Sequence, residues 1–291
     1  MDAIPASDDF VRRFLLEELD IRGAVVRLGG AWREMQARRD YPEAVRRLLG
    51  EMTAVSLLIA VNLKQPGRLT FQAQGHGPVS LLVIDCTQEL AFRGMAKFDA
   101  PPDAGGVAAL LGDGRLAMTL QSEATARPYQ SLVPLAGETI ATVFEHYLAQ
   151  SEQQPARLWL FASEHAASGL FLQKLPGADT RDPDGWPRVE HLAATVRPEE
   201  LERVPVADLL MRLFPEEAVR LFKPRPVRYE CPEDWDKVRN MLRSLGREEV
   251  EDILRERGEV HVRDDICHRE YRFDAGAARA LFDTATDHRA E

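Results

Sequence analysis

The spacing of apolar residues changes abruptly after Leu63. From Tyr41 to Leu63 the apolar residues recur every three to four positions and Pro42 stands near the start, which predicts one long helix with a buried second half. From Leu69 onward apolar and polar residues alternate, as in a half-buried strand, and further strand-like runs follow as far as Leu135. A long helix followed by a series of short strands predicts an α+β fold.

Further elements complete an N-terminal core of mixed sheet and helix over residues 1–176. The segment from Asp8 to Leu19 has apolar residues at helical spacing behind an acceptable N-cap, which predicts a first amphipathic helix. A clear apolar stripe over Glu138 to Gln150 predicts another helix. The runs ARLWLFAS and SGLFLQKLP predict two more strands, after which the core ends near Pro176.

Residues 177–226 differ from the core in composition. Seven of the eighteen prolines of the chain lie here, so the segment cannot form one continuous helix. Two short helical patterns, Pro198–Glu202 and Pro205–Phe214, are separated by such breaks. We therefore predict a helical linker that packs lightly on the core.

Residues 227–291 form a small C-terminal domain in this interpretation. A strand at Val227–Glu230 precedes a helix that starts near Trp235, a second helix spans Arg247–Leu254, and a hairpin spans Glu259–Phe273. A domain of about 65 residues is small for an independent hydrophobic core, and at this size a metal staple is usual.

The charge balance argues against nucleic acid as a partner. Asp and Glu total 47 against 37 Lys and Arg, so the surface should repel phosphate backbones. The three cysteines are too few for a secreted disulfide framework, the N-terminus lacks a signal-peptide pattern, and the most apolar run, Met52–Leu63, is too short to span a bilayer. These features predict a soluble cytoplasmic protein without a membrane partner.

No motif supports an enzyme. The GHGP and GDG runs lack the spacing of a phosphate loop, and no HExxH or nucleophile elbow is present. Cys86 has no cysteine neighbour and is interpreted as a structural or surface thiol and not as a reactive one. We therefore expect no catalytic residues.

Many segments in one order nevertheless resemble a known family. They include DYPEAVRRLLGEMTAVSLLIAVNLK, GPVSLLVID, FRGMAKF, YQSLVPL, YLAQSEQQPARL, GLFLQKLP and EEVEDILRERGEV, and the likeness runs the whole chain. The family is that of the redox-regulated heat-shock chaperone HslO, also called the 33 kDa chaperonin. The resemblance implies an α+β core, a linker, and a C-terminal domain derived from a zinc-binding fold. It also implies an ATP-independent holdase that binds unfolding proteins and forms a homodimer when active.

The chain departs from the family at the zinc centre, which is Cys-x-Cys followed some thirty residues later by Cys-x-x-Cys. The positions that align with the four ligands are Cys231, Glu233, Asp264 and Cys267. Because structural zinc sites are nearly always made of Cys and His, we favour a metal-free interpretation with no cofactor. The neighbouring Arg263, Arg269 and Arg272 could form salt bridges with the two acids. Zinc remains the alternative, with Glu233 and Asp264 or a nearby histidine, His261 or His268, as ligands, which would make the protein a metal-dependent sensor.

The missing thiols also affect regulation. In the family, oxidation joins each neighbouring cysteine pair, releases zinc and unfolds the C-terminal domain and linker, whereas here neither pair exists. The resemblance leaves one disulfide, Cys231 to Cys267, which would close a loop of about 35 residues and stabilise the domain by roughly 3 to 4 kcal/mol. The switch is therefore expected to be reduced or lost, and oxidation to lock the protein.

Candidates for client binding lie in the linker, because a holdase needs apolar surface that becomes available at little cost. The alternative is that these residues dock permanently on the core. They are Leu201, Val204, Val206, Leu209, Leu210, Leu213, Phe214, Leu221 and Phe222.

Overall fold

Two six-stranded sheets and a buried helix dominate the larger of two units in the computed structural model. The structure describes residues 9–63, 66–102, 105–122 and 127–283, and the chain divides between Glu230 and Cys231. The first half of the larger unit contains β1 (Phe10–Leu16), β2 (Ile21–Leu28), α1 (Gly30–Gln36), α2 (Glu43–Ala60), β3 (Gly67–Gln74), β4 (Val79–Thr87), β5 (Ala91–Phe98), α3 (Val107–Leu111), β6 (Arg115–Ser122) and β7 (Tyr129–Val133). Its second half contains α4 (Ile140–Glu152), β8 (Ala156–Ala162), β9 (Ala167–Lys174), α5 (Ala178–Arg181), α6 (Gly185–Ala193), α7 (Pro198–Arg203), α8 (Val206–Leu213), β10 (Val219–Leu221), β11 (Arg225–Pro226) and β12 (Arg228–Tyr229).

The strands form two sheets of mainly antiparallel order. The first sheet runs β10-β1-β2-β9-β8, with β11 also pairing with β1. The second runs β12-β5-β4-β3-β6-β7, with β12 parallel to β5. Helix α2 contacts strands of both sheets, and its buried residues belong to one cluster with theirs. This arrangement confirms the predicted α+β class.

The second half of helix α2 is buried on almost every side, as the apolar pattern from Tyr41 to Leu63 predicts. Its two fully buried hydroxyl residues are satisfied within the helix, because Thr53 Oγ1 donates to the carbonyl of Leu49 at 2.7 Å and Ser56 Oγ donates to that of Met52 at 2.6 Å. A hydroxyl that bonds the preceding turn avoids the free-energy cost of a buried, unpaired polar group. The polar residues therefore do not prevent the helix from filling the core.

The predicted helix from Asp8 to Leu19 is wrong. The described part of this segment forms β1 and the turn into β2, and Asp8 itself lies outside the described residues. Val11 faces the cluster around α2 while Phe14 faces the other side of the sheet, so the strand is apolar on both faces and shows no simple alternation. The helical spacing was a coincidence of this two-sided burial.

The segment 177–226 packs more closely than predicted. Helices α7 and α8 confirm the two short helical patterns, and α6 is an additional helix. Residues of α6, α7 and α8 share a buried cluster with the face of the first sheet that points away from α2. We call α5–α8 the cover and this sheet face the covered face. The six fully or nearly fully buried sheet residues that define the covered face are Phe14, Leu16, Ile21, Val25, Leu170 and Leu172.

The smaller unit begins at Cys231, whereas the predicted C-terminal domain begins at residue 227, because the predicted strand there is β12 and pairs with β5 of the larger unit. Its hairpin and first two helices confirm the sequence pattern, and a third helix follows them. The elements are α9 (Trp235–Leu245), α10 (Arg247–Arg257), β13 (Val260–Arg263), β14 (Glu270–Phe273) and α11 (Ala275–Asp283). Among the described residues, no helix combines the length and apolar character that crossing a membrane requires.

Candidate functional site

Cys231 and Cys267 form a disulfide. Cys231 is the first residue of the smaller unit, and Cys267 lies in the turn between β13 and β14. Their Cα atoms are 6.4 Å apart, within the usual range for a disulfide, and 36 positions separate them in sequence. The disulfide therefore links the first residue of the smaller unit to the turn of its hairpin.

Asp264 organises the turn that holds Cys267. Its Oδ1 accepts the backbone N–H groups of Ile266 at 2.8 Å and of Cys267 at 2.9 Å. The backbone N–H of His268, a residue in the left-handed region with φ of 52°, donates to the Asp264 carbonyl at 2.9 Å. An aspartate that bonds the backbone two residues ahead is a common turn-forming element. Asp264 thus has a structural role that needs no metal.

Glu233 is held away from the two sulfur atoms by Arg269 and Trp235. Arg269 Nη1 donates to its carboxylate at 2.6 Å, and Trp235 Nε1 donates to the other oxygen at 2.9 Å. Arg269 Nη2 also donates to the carbonyl of Cys231 at 2.9 Å. One guanidinium therefore links the turn between β13 and β14 to the segment around Cys231, the same two stretches that the disulfide joins.

The described residues do not form a closed zinc site with four ligands. Ligand atoms of Cys231, Asp264 and Cys267 lie within 4.8 Å of one another, so these three could hold a metal ion once the thiols are reduced. Glu233 is not in that group, and the Arg269 cation is bonded to its carboxylate. His261 pairs instead with Glu270 at 3.5 Å. Structural zinc normally has four Cys or His ligands, and this set offers two thiols and one carboxylate.

Aromatic side chains pack together between the start of α9 and β14, close in sequence to the two cysteines. The Trp235 ring lies edge-on to Tyr271, with ring centroids 4.9 Å apart, and to Phe273 at 5.6 Å. The backbone N–H of Asp234 donates to the Tyr271 hydroxyl at 3.1 Å. Aromatic pairs in this geometry contribute beyond their buried area. Apolar packing therefore supplies cohesion where a metal would otherwise act as a staple.

The cover hides the client-binding candidates. Six of the nine are buried, Val204 and Leu221 are partly buried against the same cluster, and Phe222 lies partly buried beneath the guanidinium groups of Arg13 and Arg220. The six buried candidates are Leu201, Val206, Leu209, Leu210, Leu213 and Phe214. Sequence reasoning missed the opposite half of this contact, the covered face, because β1 was read as a helix.

Ion pairs tie α6 to two neighbouring segments, one between α5 and α6 and one between α8 and β10. Arg188 of α6 contacts Asp182 and Glu217, each at 2.9 Å. The hydrogen bonds that Arg188 donates to Asp182 and to Glu217 hold the pKa of Arg188 above its usual value, and the first of them lowers the pKa of Asp182. These contacts are partly exposed, so their contribution to stability is modest compared with the buried cluster.

Cys86 has the character of an inert thiol. It is fully enclosed in β4, and burial, reinforced by the neighbouring Asp85 carboxylate, raises the pKa of its thiol. Reactivity requires the thiolate, which this environment disfavours. Redox chemistry in the described part of the chain therefore falls to Cys231 and Cys267.

Comparison with known proteins agrees with this geometry. The model of the Hsp33 protein family matches residues 9–274. A 33 kDa chaperonin of Methylobacillus flagellatus is 40% identical over 278 residues, or 95% of each chain, and one of Nitrosococcus oceani is 41% identical over 274 residues, or 94% of each. The solved 33 kDa chaperonin (heat shock protein 33 homolog) of Thermotoga maritima has a TM-score of 0.80 and 23% identity, covering 96% of this chain and 99% of its own.

The fold and these relatives define a molecular chaperone. The chain belongs to the Hsp33 family. The resemblance inferred from the sequence is therefore confirmed.

Proposed function

We propose that the protein is an ATP-independent holdase in which the covered face and the cover bind unfolding proteins after the cover detaches. The observation that carries this proposal is the buried cluster shared by the covered face and three short helices, all of them flanked or interrupted by prolines. Short helices detach more readily than long ones, because each contributes few contacts. Detachment would expose apolar surface on both partners.

We further propose that oxidation stabilises the closed state. The disulfide joins positions 36 apart, and a cross-link of that length stabilises by roughly 3 to 4 kcal/mol, chiefly by restricting the unfolded unit. Heat under reducing conditions would then unfold the smaller unit and release the cover. The response to oxidation is opposite in sign to that expected for a member with two neighbouring cysteine pairs.

The proposal is tested by suppression of the aggregation of a heat-unfolded client, measured by light scattering without ATP. Reduced protein should suppress aggregation at a lower temperature than oxidised protein. The double variant Cys231→Ser with Cys267→Ser should behave like the reduced protein with or without oxidant. Failure of every form to suppress aggregation at any temperature would refute the holdase proposal.

A metal-dependent sensor is the second candidate, favoured by the proximity of Cys231, Asp264 and Cys267. Glu233 could become the fourth ligand only after leaving Arg269 and Trp235. Zinc content of untagged, reduced protein decides between the two: one zinc per chain, lost in Asp264→Ala, supports the sensor. Absence of zinc in reduced protein that suppresses aggregation supports the metal-free holdase.

Formation of a homodimer in the active state and a cytoplasmic location remain part of the proposal. Sedimentation velocity of the reduced protein before and after heating tests the first. A monomer that suppresses aggregation would contradict it.

A further inference from the structure

Arg27 is the principal polar contact between β2 and the cover. Its Nε donates to the carbonyl of Leu201 at 2.7 Å and its Nη2 donates to the carbonyl of Val204 at 2.7 Å. The guanidinium also lies over the Phe10 ring, 5.4 Å from the centroid. The side chain is only partly exposed, so both hydrogen bonds are shielded from water.

These two carbonyls are at the end of a helix, where acceptors lack intrahelical donors. Helix α7 ends at Arg203, and the N–H of its C-cap residue Val204 bonds the carbonyl of Glu200. The carbonyl of Leu201 would take the N–H of the fourth residue ahead, which is Pro205 and has none, and the carbonyl of Val204 lies beyond the end of the helix. A cation at a helix C-terminus is favourable, and the planar guanidinium presents two parallel donors. Arg27 therefore satisfies groups that would otherwise need water under the cover.

A second polar residue of the covered side lies directly opposite Arg27. Ser168 of β9 pairs with Arg27 in the register of β2 and β9. Its side chain is fully buried, and its hydroxyl has no hydrogen-bond partner. Burying an unpaired hydroxyl is unfavourable, whereas in an open state water would solvate it.

We infer that Arg27 is a latch that holds the cover closed over the apolar sheet face, and that Ser168 opposes it by weakening the closed state. This inference rests on the proposed function, because it assigns the regulation of the same surface. Arg27 favours the docked state of the cover, and Ser168 favours the detached state. The sequence offers no signal for either role, since both depend on the contact with α7.

The test is amide hydrogen exchange of α7 and α8 in the full-length protein, followed peptide by peptide. Arg27→Met should raise exchange in these helices by roughly tenfold or more, since two shielded hydrogen bonds are lost. Arg27→Lys, which keeps the charge but not the paired donors, should give an intermediate increase. Ser168→Ala should slow exchange.

Arg22→Met is the matched control. Arg22 lies on the same strand, is similarly exposed, and bonds Gln173 and Glu152 on the opposite face of the sheet. It should leave exchange in α7 and α8 unchanged. Equal exchange in Arg27→Met and Arg22→Met would overturn the latch.

Aggregation suppression by the same variants separates the latch from the holdase proposal. Arg27→Met should suppress aggregation at a lower temperature than the parent protein. If exchange in α7 and α8 rises without any gain in suppression, the latch stands and the covered face is not the client-binding surface.

Discussion

The cover and the smaller unit are both small, and they are held in their folded positions by different interactions. The cover is held on the sheet chiefly by buried side chains such as Leu209 and Phe214, and partly exposed ion pairs such as the one between Arg157 and Glu190 add to them. The smaller unit has a much shorter list of buried apolar residues and adds a disulfide, an arginine bridge and an aromatic trio around its entrance. A region that packs on a large apolar surface is stable without a cross-link or a metal. A unit of some sixty residues has too small a core and needs an additional stabilising interaction.

The comparison also separates the proposed client-binding surface from its proposed regulation. The covered face needs only apolar residues in the right places. A four-ligand metal site would need Glu233 and Asp264 as ligands, but Asp264 accepts backbone hydrogen bonds in a turn and Glu233 pairs with Arg269. The two proposals therefore depend on different residues, and each can be tested on its own.

The largest effect is expected from the disulfide. Reduction, or Cys231→Ser with Cys267→Ser, should lower the stability of the smaller unit by roughly 3 to 4 kcal/mol, because the unfolded unit is no longer restricted. Denaturant unfolding followed by hydrogen exchange in α9 and α10 measures the change. Cys86→Ala serves as the cysteine control and should leave the response to reductant intact. Equal stability of oxidised and reduced protein would remove the basis of the locking proposal.

A substitution in the cover should have an effect of nearly the same size, but in the other region. Leu209 is fully buried in α8, so Leu209→Ala should weaken docking of the cover by about 3 kcal/mol. Met211 lies on the same helix with 61% of its surface exposed, and Met211→Ala should change docking by less than about 0.5 kcal/mol. Exchange in α7 and α8 reports both. Similar exchange in the two variants would show that the cover does not depend on its buried side chains.

A smaller effect is expected at the arginine bridge. Arg269→Met removes the bonds to Glu233 and to the Cys231 carbonyl and should destabilise the smaller unit by about 1 to 2 kcal/mol. Arg272 lies three residues further on, in β14, with 62% of its side chain exposed, so Arg272→Met is the control and should be nearly neutral. The comparison is best made with reduced protein, in which the bridge acts without the disulfide. If Arg269→Met were neutral there, the bridge would not substitute for a metal.

The smallest effect on stability is expected at Glu51, which lies in neither the cover nor the smaller unit. Glu51 of α2 lines a cleft of about 360 Å³, and burial raises its pKa to about 7, partly offset by Arg47. Because the folded state binds this proton more tightly than the unfolded state, stability contributed by Glu51 is lost as pH rises from about 4.5 to about 7.

Glu51→Gln should therefore stabilise the larger unit by about 1 kcal/mol at pH 8, and the gain should disappear at pH 4.5. Thermal unfolding at the two pH values measures it. A gain of the same size at both would mean that protonation of Glu51 is not its cause.

The sequence predicts the elements whose residue pattern has one simple cause, such as burial of one face or a proline at a helix start. Helix α2 follows from one apolar face of constant period, and α7 and α8 follow from prolines that set their starts. Strand β1 was missed because burial on both faces removes the alternation that marks a strand. The close packing of the cover was missed for the same reason, since its partner is that strand.

The candidate site was predictable in position but not in detail. The alignment places Cys231, Asp264 and Cys267 together, and the structure does so. The fate of Glu233 depends on Arg269, 36 residues away, which was one of three arginines near enough to be its partner. Choosing among them requires the register of the hairpin, which only the folded structure provides.

We propose that oxidation closes this chaperone. The most direct test is the light-scattering assay on one preparation, divided into fully reduced and fully oxidised samples with the state of Cys231 and Cys267 confirmed by mass. At the temperature where the reduced sample is half-maximally active, the oxidised sample is expected to suppress aggregation less. Stronger suppression by the oxidised sample would contradict the proposal and would mean that the Cys231–Cys267 disulfide opens the protein.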